Sequence, residues 1–117
     1  MKSVGLFDSG VGGLTVAKEM QPAFPWLNIF YFGDTARLPY GNKSPKTITT
    51  YSREISSFLL EKGVEMLVVA CNTSSSTALA DLEKELPIPV VGMIKPGARS
   101  AVSLTGNGRI GLIGTRA

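Results

Sequence analysis

The chain has 117 residues, of which 44% are hydrophobic and 18% charged, and its net charge is +3. This length suits one ordinary domain with a buried core, and the composition is that of a globular chain and not of a disordered one. The 12 basic residues are scattered without a run, so we expect no nucleic-acid partner.

The chain contains one cysteine and no histidine. Ser-His-Asp and Cys-His catalysis within this chain are therefore excluded, and we expect no metal site. A single cysteine makes no internal disulfide, which fits a reducing compartment. Residues 1–3 lead straight into a short strand pattern, and no apolar run reaches the length of a membrane span, so we expect a cytoplasmic protein without a membrane partner.

Short apolar runs alternate with helical patterns along the chain. Strands are predicted over residues 4–7, 28–32, 66–70, 88–92 and 109–114. The first helix is predicted from Leu14 to a stop at Pro22. The second begins with Ser44 as its cap and Pro45 in the first position, and ends at Gly63. A third carries Leu79, Leu82 and Leu86 on one face and ends at Pro87, and a fourth runs from Ala98 to Leu104.

This alternation predicts an α/β fold: an open parallel sheet with helices on both faces, in three layers. The chain stops soon after the last predicted strand, where a parallel strand normally feeds a helix. We therefore expect an unfinished, truncated fold. In such a sheet, ligands collect outside the carboxyl ends of the strands, and three polar loops are predicted to emerge there.

Cys71 follows the third predicted strand and precedes the polar run Asn72-Thr73-Ser74. At that position it faces the positive end of a helix dipole, which favours the thiolate and indicates a nucleophile or base. Two structural interpretations remain beside this one. Cys71 is equally interpretable as a small buried hydrophobe, and the hydroxyls after it as helix caps.

The glycine-rich loop 8–13 joins the first predicted strand to the first helix. Its glycines allow close backbone approach to a ligand, the following helix offers N–H groups to an anion, and Asp8 provides a carboxylate for acid–base work or for an ammonium group. The alternative is a turn in which Asp8 serves only as a cap. The loop lacks the spacing of a Walker A or dinucleotide motif.

The loop 33–42 is long for a strand-to-helix connection and carries the rigid turn Pro39-Tyr40-Gly41. The alternative is a surface loop with Tyr40 packed on the domain. Together the three loops offer one acid, one thiol and a set of neutral donors. That combination suits a small zwitterion such as an amino acid.

At these motifs the chain resembles the amino-terminal part of the bacterial glutamate racemase family, in the aspartate/glutamate racemase superfamily. The matching stretches are residues 5–16, 31–41 and 70–73. The resemblance implies the first domain of a two-domain racemase fold over residues 1–92. Residues 93–117 would then form a crossover helix and the first strand of an incomplete second domain.

The resemblance further implies interconversion of L- and D-glutamate without a cofactor, supplying D-glutamate for peptidoglycan. It makes Cys71 and Asp8 catalytic, with a second cysteine outside this chain on the opposite side of the α-carbon, so that the fragment alone is inactive. It assigns substrate binding to Ser9, Pro39, Tyr40, Gly41, Asn72 and Thr73.

Two other functions stay open at this point. One is an aspartate-type racemase of the same superfamily, since substrate selectivity would involve the second domain. The other is a non-catalytic anion-binding α/β module in which Cys71 is inert. A homodimer is also left open.

Overall fold

The computed structural model describes residues 1–117. One parallel sheet contains four strands in the order β2-β1-β3-β4. The strands are β1 (Ser3–Asp8), β2 (Asn28–Gly33), β3 (Leu67–Val69) and β4 (Val90–Val91). The helices are α1 (Leu14–Ala23), α2 (Pro45–Glu61), α3 (Asn72–Thr77), α4 (Leu79–Glu85) and α5 (Ile94–Leu104).

The two faces of the sheet carry separate hydrophobic clusters, because successive side chains of a strand point to opposite faces. One cluster contains Phe7, Leu67 and Val69, packed against Ile55 and Leu59 of α2 and Leu82 of α4. The other contains Val4, Leu6, Val68 and Ala70, packed against Val16, Ala17 and Met20 of α1. The predicted three-layer α/β fold with an open parallel sheet is confirmed.

Helix α2 begins and ends as its sequence predicts. The hydroxyl of Ser44 accepts a 3.1 Å hydrogen bond from the backbone N–H of Thr47, and Pro45 takes the first helical position. Gly63 follows the helix with a φ of +80°, a left-handed conformation that glycine adopts without strain.

The predicted end of the first helix at Pro22 is wrong. Pro22 lies inside the last turn, and α1 continues to Ala23. A proline's fixed φ is compatible with a helix, and at this position its ring removes one hydrogen bond near the frayed end. The backbone N–H of Phe24 still reaches the carbonyl of Met20 at 2.8 Å.

The third predicted helix is divided into α3 and α4 at Ala78. The serine and threonine residues of α3 favour helix weakly, and their hydroxyls bond to backbone carbonyls, as Ser75 does to Val69 at 2.9 Å. Helix α4 ends at Glu85, and Leu86 is extended. A residue before proline avoids the helical region, and Pro87 follows Leu86.

The predicted fifth strand over residues 109–114 is wrong, because that segment forms no regular structure. Leu112 and Ile113 are 95% and 99% exposed. A strand needs a partner for its backbone groups, and neither edge of the sheet pairs with this segment. Helix α5 begins at Ile94, four residues earlier than predicted, since Pro96 is tolerated in a first turn.

None of the helices combines the length and the apolar character required to cross a membrane.

Candidate functional site

A cleft of about 600 Å³ lies at the carboxyl ends of β1 and β3. These strands are neighbours in register, with Phe7 opposite Val69. Asp8 is the last residue of β1 and Cys71 comes two residues after β3, so both reach the same edge. The predicted site residues that line the cleft are Asp8, Ser9, Cys71, Asn72 and Thr73.

Both carboxylate oxygens of Asp8 accept hydrogen bonds from the loop that follows it. Oδ1 accepts from the backbone N–H of Ser9 at 2.7 Å, and Oδ2 accepts from that of Gly13 at 2.7 Å. The residue is 9% exposed. Gly13 is the N-cap of α1 and has no side chain that could cap the helix. Asp8 therefore fixes the shape of the glycine loop and also borders the cleft.

Cys71 is buried at 4% exposure and is the N-cap of α3. Its Sγ accepts a hydrogen bond from the backbone N–H of Ser74 at 3.4 Å. Cys71 also packs in one buried cluster with Tyr40 and Ile48, neither of which lines the cleft. Cys71 thus caps α3, packs in a buried cluster and lines the cleft.

No residue of the loop 33–42 lines the cleft. Tyr40 is 1% exposed, and its hydroxyl donates to Oδ2 of Asp34. Burial, followed by the hydrogen bond to Asp34, raises the pKa of the Tyr40 hydroxyl, so this group is a donor. Pro39 is exposed and follows a cis peptide bond. Gly41 lies beside Thr115, where an added Cβ would come within 2.4 Å of Thr115 Cγ2.

The far wall of the cleft is formed by residues that the sequence analysis did not assign to a site. They include Ser76, Ile94, Leu112, Ile113, Gly114 and Thr115. The hydroxyls of Thr73 and Thr115 lie 2.9 Å apart. A contact between residues 42 positions apart follows from the fold, and no local pattern signals it.

A tyrosine hydroxyl of β2 is hydrogen-bonded to the glycine loop 8–13. Tyr31 donates a 2.8 Å hydrogen bond to the carbonyl of Gly10. Burial, with the nearby charge of Asp8 as the next cause, raises the pKa of Tyr31. Tyr31, Asp34 and Arg37 all lie within the motif of residues 31–41, which was the signal available for finding them.

The chemistry of the cleft is that of one carboxylate and one thiol among neutral donors. Its lining contains no lysine or arginine, so a carboxylate ligand would be bound by hydroxyl, amide and backbone N–H groups. No group of three or more cysteine, aspartate or glutamate side chains converges in a way that could hold a metal ion.

Comparison with known proteins gives a consistent result. The profile of a family described as Asp/Glu/Hydantoin racemase matches residues 15–117. Proteins named glutamate racemase from Geobacter metallireducens and Aquifex aeolicus are 60% and 52% identical to the chain, each over 114 residues. These alignments cover 97% of this chain but only 42% and 45% of the two relatives. The chain therefore spans less than half the length of these curated relatives.

Solved structures agree with the sequence relatives. Glutamate racemase from Aquifex pyrophilus superposes with a TM-score of 0.95 at 51% identity, covering 98% of this chain and 46% of that one. Glutamate racemase from Francisella tularensis in complex with D-glutamate gives a TM-score of 0.80 at 38% identity, over 88% of this chain and 40% of that one.

Proposed function

Since the chain belongs to the Asp/Glu/hydantoin racemase family, we propose that its protein interconverts L-glutamate and D-glutamate by proton transfer at the α-carbon. The observation that carries this proposal is the meeting of Asp8 and Cys71 in one cleft. The similar proteins named glutamate racemase support the choice of substrate.

In this proposal, Cys71 as a thiolate removes the α-proton of one enantiomer, forming an S–H bond while the C–H electron pair stays on the α-carbon. A second thiol then delivers its proton to the opposite face of that carbanion. Reversal of both steps converts the other enantiomer. An amino-acid α-proton is very weakly acidic, so donors placed around the developing charge in a water-poor site have to supply much of the stabilisation.

The remaining residues of the cleft bind and orient the substrate in this scheme. Asp8 holds the ammonium group or assists the proton transfer. Ser9, Asn72 and Thr73 line the cleft and donate to the substrate carboxylates. Pro39, Tyr40 and Gly41 are not part of the cleft lining, so their part in substrate binding stays a prediction. Of the three, Gly41 lies beside a lining residue, Thr115.

We place the second cysteine outside these residues, because the chain contains one cysteine and spans 42% of a relative that is 60% identical. Residues 1–92 then form the first domain, and residues 93–117 lead into a second. By itself the chain would hold half of the site and would not racemise. D-Glutamate made in this way supplies peptidoglycan synthesis in the cytoplasm. A homodimer stays a prediction.

The test follows the α-proton NMR signal of each glutamate enantiomer in D₂O, with the full-length gene product. We expect the signal of both enantiomers to disappear, and the Cys71→Ser variant to lose this exchange by about 10²- to 10⁴-fold. The Ser103→Ala variant, at an exposed hydroxyl in α5, is the control with unchanged exchange. Exchange that persists in Cys71→Ser would contradict the proposal. Faster exchange of aspartate than of glutamate would indicate an aspartate-type racemase.

A non-catalytic anion-binding module is the second candidate, and one observation favours it. Asp8 and Cys71 both accept hydrogen bonds from backbone N–H groups, which gives each a structural role without any reaction. Absence of exchange in the full-length protein, together with glutamate binding by calorimetry, would support this candidate.

A further inference from the structure

A buried carboxylate behind the cleft takes part in none of the steps proposed above. Asp34 is 6% exposed. Its Oδ2 accepts from the Tyr40 hydroxyl and, at 2.7 Å, from Nε of Arg37. Its backbone N–H donates to the carbonyl of Asp8 at 3.0 Å. Asp34 is therefore bonded both to the strand end that carries Asp8 and to the ring behind Cys71.

Arg37 connects this carboxylate to helix α2. Nη1 of Arg37 contacts Glu54 at 2.5 Å, and its guanidinium carbon lies 3.8 Å from the centre of the Tyr51 ring. Both partners belong to α2. The hydrogen bonds to Glu54 and Asp34 oppose the effect of burial and raise the pKa of Arg37, so its positive charge is retained beside Asp34.

Tyr40 connects this charged pair to Cys71. Its ring packs against Cys71 and Ile48 and lies 5.7 Å from that of Tyr51, centre to centre. Asp34 is buried, whereas the Arg37 side chain is 29% exposed. Directional hydrogen bonds from Arg37 and Tyr40 to the same carboxylate restrict the orientations available to the loop.

We propose that Asp34 is a positioning residue that, through Tyr40 and Arg37, holds the loop 33–42 as a fixed wall behind Cys71 and keeps its thiol aimed into the cleft. The loss of this wall frees the Tyr40 ring and exposes Cys71 from behind. The inference rests on the proposed function only where turnover is measured.

The test measures alkylation of Cys71 by iodoacetamide in the folded full-length protein, followed by mass spectrometry of the peptide containing Cys71. We expect Asp34→Ala and Tyr40→Phe to raise the rate by about tenfold, the factor that corresponds to losing one hydrogen bond to a charged group. Asp34→Asn keeps an oxygen that accepts from both donors but loses the charge, so its rate should lie between those of the wild type and Asp34→Ala.

The control for general destabilisation is Ile55→Val. Ile55 is buried in a cluster that does not include Cys71 or Tyr40, and we expect the loss of one methylene group to lower stability without changing the alkylation rate. In glutamate exchange, Asp34→Ala and Tyr40→Phe should lower kcat by about tenfold or more, because small misplacements of a reacting group reduce rates steeply. Asp34→Asn should lower kcat less than Asp34→Ala does, because it keeps the accepting oxygen.

A wild-type alkylation rate in folded Asp34→Ala and Tyr40→Phe would overturn the inference. If Asp34→Ala fails to fold, Tyr40→Phe decides by the same comparison, since it keeps the packed ring. Absence of glutamate exchange in the wild type would contradict the proposed function alone, because alkylation reports the wall behind Cys71 without turnover.

Discussion

The backbone N–H of Gly13 donates a 2.7 Å hydrogen bond to Oδ2 of Asp8. The first and last residues of the glycine loop are thereby joined, and the remaining oxygen of the same carboxylate accepts from Ser9 N–H. The residue expected to do chemistry is also the residue that shapes its own loop.

Asp8→Asn should therefore destabilise the fold as well as impair the site. An amide has one accepting oxygen, so one of the two N–H groups would face an NH₂ group. We expect the free energy of unfolding to fall by about 1–3 kcal/mol, measured by urea denaturation. Ser9→Ala is the control: its hydroxyl lies 3.5 Å from Asp8, and its loss should change stability by less than about 0.5 kcal/mol. Equal stability of Asp8→Asn and wild type would contradict the role of Asp8 in the loop.

The same substitution at two glycines should have opposite effects. A Cβ at Gly13 would lie 2.8 Å from Cβ of Asp8 and 3.0 Å from Cβ of Ala70. Gly13→Ala should therefore lower the free energy of unfolding by about 1–3 kcal/mol through overpacking. At Gly97, inside α5, nothing lies within 4 Å, and Gly97→Ala should stabilise by about 0.5–1 kcal/mol. Thermal unfolding of the two variants tests both signs, and a stabilising Gly13→Ala would refute the close contact.

Serine and alanine at position 71 should separate the structural role of Cys71 from its chemistry. Sγ accepts from Ser74 N–H as the cap of α3, and a serine hydroxyl accepts at such a position as well. We expect Cys71→Ala to be less stable than Cys71→Ser by about 0.5–2 kcal/mol, while both variants lose glutamate exchange to a similar, large extent. Equal unfolding free energies of the two variants would show that the cap contributes nothing.

Stability should decrease in alkaline solution because of two tyrosines. Burial and Asp34 raise the pKa of Tyr40 above its ordinary value of 10.0, and burial with Asp8 raises that of Tyr31. Above about pH 10 the unfolded chain releases these protons before the folded protein does, so the free energy of unfolding falls as pH rises. Below that range the contribution is fully present.

Urea denaturation between about pH 8 and about pH 11 measures this slope. Tyr40→Phe should make the slope shallower, and Tyr31→Phe in the same chain should flatten it further. An unchanged slope in Tyr40→Phe would mean that its hydroxyl ionises alike in the folded and unfolded states.

Elements with local signals were predictable from the sequence. The cap at Ser44, the first-position Pro45 and the terminal Gly63 all act within a few residues of themselves, and α2 has these limits. The segment 109–114 has the composition of a strand, but strand formation depends on a partner that no local pattern specifies. The division at Ala78 separates a run of serines and threonines, which favour helix weakly, from the leucine-bearing α4.

The meeting of Asp8 and Cys71 followed from the rule that the carboxyl ends of parallel strands share an edge. The burial of Tyr40 behind Cys71 was less accessible to sequence reasoning, since it depends on the Asp34 carboxylate and on Arg37 reaching α2. Tyr40 packs on the domain, as the structural alternative for this loop describes, and its part in substrate binding stays a prediction.

The strand order β2-β1-β3-β4 has a consequence for where chemistry is located. After β1 the chain passes to α1 on one face of the sheet, and after β3 it passes through α3 to α4 on the other. The two connections diverge from adjacent strands, which makes this point a topological switch and leaves a crevice between them. The strand order and its connections therefore determine where the cleft lies. Loops carry the chemistry of such folds, so different loop residues at this point can support different reactions in a cleft whose position the topology sets.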